Sequence, residues 1–290
     1  MIKGCLTALI TPFKDGKVDE DALRAHVEAQ IEGGVDGLVP CGTTGESATL
    51  THVEHNRVID IVIETSAGRV PVVAGTGSNS TRETITLTGH AEEAGADAAL
   101  LISPYYNKPT QTGLYEHYKA IAESTKLPLL LYNVPGRTAL NMAPETVARL
   151  SEIENIIGIK EATGDLAQAS DIMEYSSKGF LMISGDDFIT YPMLTIGGHG
   201  VISVTSNIVP SDVSEMCRLY FEDKREEALK LHYKLQALHR VMFVETNPIP
   251  VKTALAIMGK VAEEFRLPLT AMQGENRKKI EDALKKYGVI

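Results

Sequence analysis

Residues 129–160 read LLLYNVPGRTALNMAPETVARLSEIENIIGIK and contain one complete strand–helix–strand unit. The runs 129–133 and 156–160 are short and apolar at consecutive positions, which is typical of strands covered on both faces. Between them, residues 143–150 are helical in pattern, and Pro144 stands where a first-turn proline favours a helix start. The stretch therefore predicts two strands of a sheet joined through a helix.

The same alternation runs through most of the chain. Strands are predicted at residues 5–11, 37–40, 70–74, 98–102, 129–133, 156–160, 181–184 and 200–203. Helix start signals lie between them at Asp19, at Thr51, which begins a capping box, and at Ser80. Eight strands in about 220 residues predict an α/β fold, a (β/α)8 TIM barrel, which typically needs about 250 residues. An open doubly wound sheet is the alternative, but its glycine fingerprint is missing.

After Pro210 the pattern changes to helices alone. They are predicted at residues 212–221, 225–244 and 250–258, with a last helix starting near residue 273. We interpret the first as the final barrel helix and the others as an appended C-terminal helical bundle. The predicted division is a catalytic barrel domain at 1–223 and a helical region at 224–290 that packs on the barrel.

Composition narrows the class of protein. The net charge of −10 argues against nucleic acid or an anionic membrane surface as a partner. Cys5, Cys41 and Cys217 have no CxxC spacing and are odd in number, which fits a reducing compartment and excludes a cysteine-based zinc site. No apolar stretch reaches the roughly 20 residues of a membrane span. We expect a cytoplasmic protein without nucleic-acid or membrane partners.

Lys160 is the main candidate for catalysis. The active site of a (β/α)8 barrel lies at the C-terminal ends of the strands, and Lys160 ends the sixth predicted strand. Burial of an ammonium favours the neutral amine, which can attack a carbonyl carbon. A structural ion pair with Glu161 or another carboxylate is an equally open interpretation from position alone.

Residues at neighbouring strand ends favour the catalytic interpretation. Tyr132 could shuttle a proton, although a lone tyrosine is more often a hydrogen-bonded, half-buried aromatic. Thr43 and Thr44 in a glycine-bounded loop could direct donors at a carboxylate, although such a loop can be a simple turn. Arg137 suits a bidentate carboxylate contact unless it is a solvated surface residue. Together they indicate an imine-forming lysine that joins a 2-keto acid to a second carbonyl compound.

Competing motifs are incomplete. Residues 75–77 (GTG) lack the third glycine and acidic partner of a dinucleotide site. His52 and His55 are three residues apart and do not match the HExxH zinc motif. The P-loop motif and the serine-hydrolase elbow do not occur.

The motifs in combination resemble those of the dihydrodipicolinate synthase family, also called 4-hydroxy-tetrahydrodipicolinate synthase. The resemblance rests on residues 42–46 (GTTGE), 132–138 (YNVPGRT), 158–161 (GIKE), 104–109 (PYYNKP), 197–203 (GGHGVIS) and 247–252 (NPIPVK). It implies condensation of pyruvate with L-aspartate 4-semialdehyde, the first committed step of lysine and diaminopimelate biosynthesis. It also implies that no metal and no organic cofactor is required.

The resemblance implies a role for individual residues. Lys160 would form the imine with pyruvate, and Arg137 would hold the carboxylate of the semialdehyde. A proton relay is implied for three residues, the last of them lent by a neighbouring subunit: Tyr132, Thr43 and Tyr106. Further substrate-binding positions are Thr44, Gly185 and Ile202.

The resemblance extends to regulation and assembly. Some family members are inhibited by lysine in a cleft between two subunits. The matching positions here are Ser47, Ala48, His52, His55, Asn79, Glu83 and Tyr105. Because polar residues there could hold the charged groups of an amino acid, we expect inhibition by lysine, although a pair of solvated histidines is the simpler interpretation. The family also implies a homotetramer, built as a dimer of dimers.

Two alternatives stay open. Another pyruvate-dependent aldolase, such as N-acetylneuraminate lyase or a keto-deoxy sugar acid aldolase, shares the lysine, the tyrosine and the glycine–threonine loop. Arg137 discriminates, because a short amino-acid aldehyde needs a cation where a sugar chain needs neutral partners. The second alternative is a non-catalytic keto-acid sensor on the same fold, which would have no need for a proton relay.

Overall fold

The computed structural model describes residues 2–290 and contains a barrel of eight parallel strands. The strands are β1 Gly4–Ala8, β2 Gly37–Val39, β3 Val73–Gly75, β4 Ala98–Ile102, β5 Leu129–Asn133, β6 Ile156–Glu161, β7 Leu181–Ser184 and β8 Gly200–Ser203. Consecutive strands pair from β3 to β8, and β1 pairs with both β8 and β2. The barrel closes between β2 and β3, where Leu38 bridges Val72 and the Gly75 N–H donates to the Pro40 carbonyl at 2.9 Å. The predicted (β/α)8 barrel is confirmed.

A helix follows each strand and covers the outside of the barrel. The barrel helices are α1 Glu20–Glu32, α2 His52–Ser66, α3 Thr81–Ala94, α4 Gln111–Ser124, α5 Pro144–Leu150, α6 Leu166–Tyr175, α7 Thr190–Thr195 and α8 Pro210–Phe221. Short elements in the connections are the hairpin Phe13–Lys14 with Lys17–Val18, the one-turn helix Pro135–Thr138, and the 3-10 turns Ser47–Thr49, Asp187–Ile189 and Thr205–Asn207.

The predicted C-terminal bundle is also present. It consists of α9 Arg225–Val241, α10 Ile249–Ile257 and α11 Gly274–Tyr287. Helix α9 packs on α8 and α11, and α10 packs on α11. The predicted boundary at 223/224 falls between α8 and α9, and the division into two domains stays a prediction. Within residues 2–290, no helix is both long and apolar enough to cross a membrane.

The predicted start signals mark the real helix starts. Thr51 caps α2 by accepting from the Glu54 N–H at 3.2 Å, and the Glu54 carboxylate accepts from the Thr51 N–H at 2.9 Å. Ser80 caps α3, and Asp19 caps α1. Such a cap typically contributes about 0.5–2 kcal/mol, because it satisfies backbone donors that the first helical turn leaves unpaired.

Two strand boundaries differ from the prediction by three residues, and the others agree or differ by one. Strand β1 ends at Ala8, three residues before the predicted end. The backbone beyond it no longer pairs regularly with a neighbouring strand, because the Ile10 N–H donates to the side chain of Asn207, at Oδ1, over a distance of 3.3 Å. Strand β3 starts at Val73 because Pro71 has no N–H to donate to a neighbouring strand. Residues 9–11 are buried and residues 70–72 are buried or half-buried, and both segments are mostly apolar, so the sequence pattern does not distinguish them from strand.

The barrel interior is a packed core. Side chains that point inward form one cluster, made of Ile2, Leu6, Ala8, Val39, Val73, Ala98, Leu100, Leu130, Tyr132, Val134, Ile183 and Ile202. A second cluster fills the space between strands and helices. Because successive residues of a strand point to opposite faces, each strand contributes to both clusters. This explains the apolar residues at consecutive positions.

Gly158 provides a test of this packing. A Cβ at this position would overlap the carbonyl oxygen of Leu181, its partner on β7. We expect Gly158→Ala to lower the free energy of unfolding by about 1–3 kcal/mol, the usual result of overpacking a closed core. The measurement is urea unfolding followed by circular dichroism. Gly89→Ala is the matched control, because Gly89 lies within α3 with open space around it, and we expect it to stabilise by about 0.5–1 kcal/mol. Equal stability of the two variants would contradict the packing.

Candidate active site

Lys160 lies at the C-terminal end of β6, and its side chain is inside the barrel. It pairs in register with Tyr132 on β5 and with Ile183 on β7, both of which belong to the inner core. Only 7% of the residue is exposed. Its Nζ atom lies 4.3 Å from the centroid of the Tyr132 ring. The amine is thus shielded from bulk water and has a phenol as its neighbour.

The carboxylate of Glu161 faces the opposite side of β6 from Lys160, as strand alternation requires. It accepts hydrogen bonds from Asn133 Nδ2 at 3.0 Å and from the Thr163 N–H at 2.7 Å. Burial raises the pKa of the Glu161 carboxyl, and these hydrogen bonds oppose the rise. The geometry contradicts an ion pair between Lys160 and Glu161, which leaves the amine available for chemistry.

The loop at residues 42–46 is held at several points. Thr44 is buried, and its Oγ1 accepts a hydrogen bond from Asn247 Nδ2 at 2.9 Å. The next residue, Gly45, accepts from Thr11 Oγ1 at 2.6 Å through its carbonyl. Thr43 stays half-buried and lines a cavity. The loop is therefore held in a fixed conformation in which Thr43 lines the cavity.

The cavity at the strand ends has a volume of about 420 Å³. Thr43, Tyr132 and Arg137 all line it, so the structure brings three predicted site residues together. Lys160 is not among the lining residues, and it reaches the cavity region through its contact with the Tyr132 ring. The cavity can therefore hold a small molecule beside the phenol that covers the amine.

Arg137 is the cation of this cavity. The predicted turn is a one-turn helix, Pro135–Thr138, which starts right after β5 and leaves the arginine exposed. Its Nη2 donates to the Asn247 carbonyl at 3.3 Å. Among residues 2–290 this is the one hydrogen bond of the guanidinium, so most of its donors remain available for an anionic ligand.

Gly185 and Ile202 lie at the ends of β7 and β8. The Gly185 N–H donates to the Glu161 carbonyl at 2.7 Å, and a Cβ there would overlap Ala162, so a side chain does not fit. Ile202 is buried in the inner core. Beside them, burial raises the pKa of the Asp186 carboxyl, while the positive charge of Lys160 lowers it. Asp186 is thus close enough to Lys160 for their charges to interact, although it does not line the cavity.

Tyr106 is placed differently from the other predicted relay residues. It follows β4 in a left-handed conformation, with φ of 72°, and its side chain is 90% exposed. It does not line the cavity of its own chain, whereas Tyr105 does. The structure therefore does not bring Tyr106 to Lys160 within one chain.

The predicted lysine-binding residues extend the same cavity. Six of the seven line it: Ser47, Ala48, His52, His55, Glu83 and Tyr105. The seventh, Asn79, donates to the Tyr105 carbonyl at 3.1 Å. Glu83 accepts from Ser78 Oγ and lies 2.7 Å from His52 Nε2. The cleft thus has a carboxylate bound to neighbouring side chains. His55 is buried, whereas His52 bonds to Glu83 and is otherwise largely exposed.

His55 has one unused polar atom in this cleft. Its Nε2 contacts the Gly75 carbonyl at 2.9 Å, and its buried Nδ1 has no hydrogen-bond partner among residues 2–290. Burial lowers the pKa of the imidazole. Across the same described residues, no group of three or more His, Cys, Asp or Glu side chains is arranged to hold a metal.

Sequence reasoning assigned no role to Asn247, Lys252 or Ser78. Asn247 contacts both Thr44 and Arg137, and Lys252 contacts Glu46. Asn247 and Lys252 lie in the 247–252 motif, which was the available signal. Their partners are 203 and 206 residues away along the chain, so the contacts depend on the closed fold.

Comparison with known proteins gives one family. The model of the dihydrodipicolinate synthetase family matches residues 1–287. The 4-hydroxy-tetrahydrodipicolinate synthase of Nitratidesulfovibrio vulgaris strain Miyazaki F is 56% identical over 289 residues, 99% of both chains. A chloride-inhibited dihydrodipicolinate synthase from Acinetobacter baumannii, complexed with pyruvate, has a TM-score of 0.98 at 47% identity and 100% coverage of both chains. The enzyme from Cyanidioschyzon merolae with lysine bound has a TM-score of 0.96 at 39% identity, covering 99% of each. With sequence and barrel both matched from end to end, the chain belongs to the dihydrodipicolinate synthetase family.

Proposed function

We propose that the protein condenses pyruvate with L-aspartate 4-semialdehyde to give 4-hydroxy-tetrahydrodipicolinate, the first committed step of lysine and diaminopimelate biosynthesis. The observation that carries the proposal is the buried amine of Lys160 against the Tyr132 ring, beside a cavity lined by Thr43 and Arg137. Family membership supports it, as does the pyruvate bound to the A. baumannii relative.

In the first step, Lys160 becomes covalently attached to pyruvate. Its neutral amine attacks the keto carbon, the carbinolamine loses water, and an imine remains. Tyr132 is the phenol beside the amine and would pass the protons of these steps. Thr43 of the same chain and the partner subunit's Tyr106 would complete the relay. The exposure of Tyr106 on a single chain agrees with this role.

In the second step, a new carbon–carbon bond forms. The imine loses a methyl proton to become an enamine, whose carbon attacks the aldehyde carbon of the semialdehyde, and the aldehyde oxygen takes up a proton. The amino group of the semialdehyde then displaces the Lys160 amine from the imine carbon, which closes the ring. The imine nitrogen accepts the electron pair when the enamine forms and returns it when the carbon–carbon bond forms, so the reaction needs neither metal nor organic cofactor.

Two carboxylates must be held during this sequence. The loop that contains Thr44 would bind the carboxylate of pyruvate, with Gly185 and Ile202 as further pocket positions. Arg137 would bind the carboxylate of the semialdehyde at the cavity wall, where most of its donors are available. A cation at this place favours a short anionic aldehyde over the polyhydroxylated chain of a sugar acid.

A coupled assay tests the proposed reaction directly. The purified protein is incubated with pyruvate and L-aspartate 4-semialdehyde, and the cyclic product is reduced by an added reductase while pyridine nucleotide absorbance is recorded. We expect the two substrates to be consumed in equal amounts. A protein that consumes pyruvate only with a sugar aldehyde, or consumes neither substrate, would contradict the proposal.

The proposed active unit is an oligomer. Tyr106 and Val53 are exposed, at 90% and 79%, on the side of the barrel that contains the cavity mouth and the start of α2. A tight dimer would cover such residues and bring Tyr106 to the neighbouring site. We extend this to a homotetramer, a dimer of dimers, on family grounds. A cytoplasmic location is a further prediction, based on three free, buried cysteines.

We also propose that lysine inhibits the enzyme by binding in the cleft next to the cavity. The Glu83 carboxylate could hold the amino groups of lysine, and the unpaired Nδ1 of His55 offers a further contact. The relative from C. merolae, whose structure holds lysine, supports this proposal. Because the cleft and the substrate cavity are continuous, a ligand in one can affect the loop at residues 42–46.

Glu83→Ala tests the lysine cleft. We expect the lysine concentration for half-inhibition to rise at least about tenfold, since a charged hydrogen-bond partner typically contributes about 1.5–3 kcal/mol. The measurement is the initial rate with saturating pyruvate over a lysine series reaching the millimolar range. Glu93→Gln, an exposed position at the far end of α3, is the control and should respond as the wild type does. An unchanged rate of the wild type in millimolar lysine would refute the inhibition.

A further inference from the structure

A buried ion pair joins the loop after β2 to the C-terminal helices. Glu46 ends the loop at residues 42–46, and its Oε1 lies 2.5 Å from Nζ of Lys252 on α10. Both side chains are fully buried, at 0% exposure. The other carboxylate oxygen accepts from the Arg266 N–H at 3.4 Å. The pair connects positions 206 residues apart, directly beside the predicted carboxylate-binding threonines.

Two aromatic rings border this pair, and the charges of Arg266 and Glu264 lie close enough to act on it. The Lys252 ammonium lies 4.3 Å from the ring centroid of Phe13 and 5.0 Å from that of Phe265. In such an environment, the desolvation of two charges offsets most of their attraction, and an apolar pair of similar volume is often as stable. Net stability is therefore a weak explanation for charges at this place, and a defined geometry is a better one.

The backbone of Glu46 points to the same conclusion. Its φ is 53°, in the left-handed region that glycine adopts without strain and other residues adopt rarely. A non-glycine residue stays in this conformation when surrounding contacts hold it there. The bond to Lys252 is such a contact, and Glu46 is thereby fixed in position.

Three consecutive residues of the loop are each held by a side chain from elsewhere. Asn247 donates to Thr44, Thr11 donates to the Gly45 carbonyl, and Lys252 donates to Glu46. Two of these contacts come from the segment at residues 247–252. The C-terminal region thus holds the loop, although its Lys252 does not line the cavity.

We propose that Glu46 and Lys252 are positioning residues, which hold the threonine loop in the geometry that binds the carboxylate of the keto acid. The inference rests on the proposed function. Because the pair acts through the loop and not on the reacting atoms, its loss should weaken pyruvate binding. Once pyruvate saturates the site, the proton transfers at Lys160 and Tyr132 should proceed at nearly the normal rate.

The double variant Glu46→Gln, Lys252→Met tests the proposal. It removes both charges at similar volume and so avoids the lone buried charge that either single change would leave. Two curves are measured against pyruvate concentration: the steady-state rate, and the fraction of protein trapped by borohydride at Lys160, read by mass spectrometry. We expect the half-saturating pyruvate concentration to rise about tenfold or more, equivalent to about 1.4 kcal/mol, with kcat within about threefold of the wild type.

Two further variants keep the test decisive. The control Glu263→Gln, Arg277→Met removes another 2.5 Å ion pair of the C-terminal region, which has no contact with the loop, and should saturate as the wild type does. Glu46→Asp keeps the charges but shortens the reach, and it takes the place of the double variant if that does not fold. For Glu46→Asp we expect the half-saturating pyruvate concentration to rise about threefold.

A folded Glu46 variant with the half-saturating pyruvate concentration of the wild type would overturn the proposal. A lower kcat at an unchanged half-saturating concentration would overturn it as well. A similar rise in the control pair would overturn it too, because the effect would then be general. If the wild type forms no pyruvate adduct at all, the proposed function fails instead.

Discussion

Lys160→Arg is expected to abolish the reaction, with kcat lowered by at least about 10³-fold, as for other residues that form the covalent bond. Arginine preserves the positive charge and most of the length, but it does not become a neutral nucleophile near pH 7. The measurement is the coupled assay at saturating pyruvate and semialdehyde. Thermal unfolding of the variant should stay close to that of the wild type, because the Glu161 carboxylate accepts from Asn133 and Thr163 and forms no ion pair with Lys160.

Lys119→Arg serves as the control for this substitution. Lys119 lies on the outer helix α4 with its side chain 43% exposed, so we expect unchanged activity. A Lys160→Arg enzyme that retained a tenth or more of the wild-type kcat would show that the imine is not formed at this residue.

Arg137→Ala is expected to separate the two substrates. The value of kcat/KM for the semialdehyde should fall about 10²–10³-fold, equivalent to about 2.7–4 kcal/mol, because the variant loses a charged, bidentate contact. The half-saturating pyruvate concentration for borohydride trapping should change by less than about threefold, since the arginine holds the other substrate. Both quantities are measured on one preparation.

The control for Arg137 is Arg240→Ala. Arg240 is exposed in the last turn of α9, away from the cavity lining, and its loss should affect neither substrate. If Arg137→Ala weakened pyruvate and semialdehyde equally, the residue would have a general structural role. If it weakened neither, an aldolase for a neutral sugar chain would again be the better explanation.

Much of the barrel is predictable because each strand is covered on both faces. The strands at 98–102, 129–133, 181–184 and 200–203 have the predicted bounds, since consecutive apolar residues coincide there with the ladder. The predictions fail where an apolar residue is buried but its backbone bonds outside the ladder, as at Ile10. The short hairpin at residues 13–18 was not predicted, because its two-residue strands are too short to show a period.

The site was predictable to the extent that the active site of a (β/α)8 barrel lies at the C-terminal ends of its strands. Lys160 and Tyr132 sit at adjacent strand ends, so their contact follows from strand order alone. The roles of Asn247 and Lys252 were not predictable, because these residues reach the loop only after the C-terminal helices have packed on the barrel. Tyr106 is a third case, since its proposed role depends on a second chain.

The central claim is the covalent bond between Lys160 and pyruvate. The most direct test is treatment of the protein with pyruvate and borohydride, followed by mass spectrometry of the intact chain and its peptides. We predict one adduct for each chain, on Lys160, with the added mass of pyruvic acid less one oxygen atom, and no adduct on Lys160→Arg. An adduct on another lysine, or none on the wild-type protein, would contradict the mechanism.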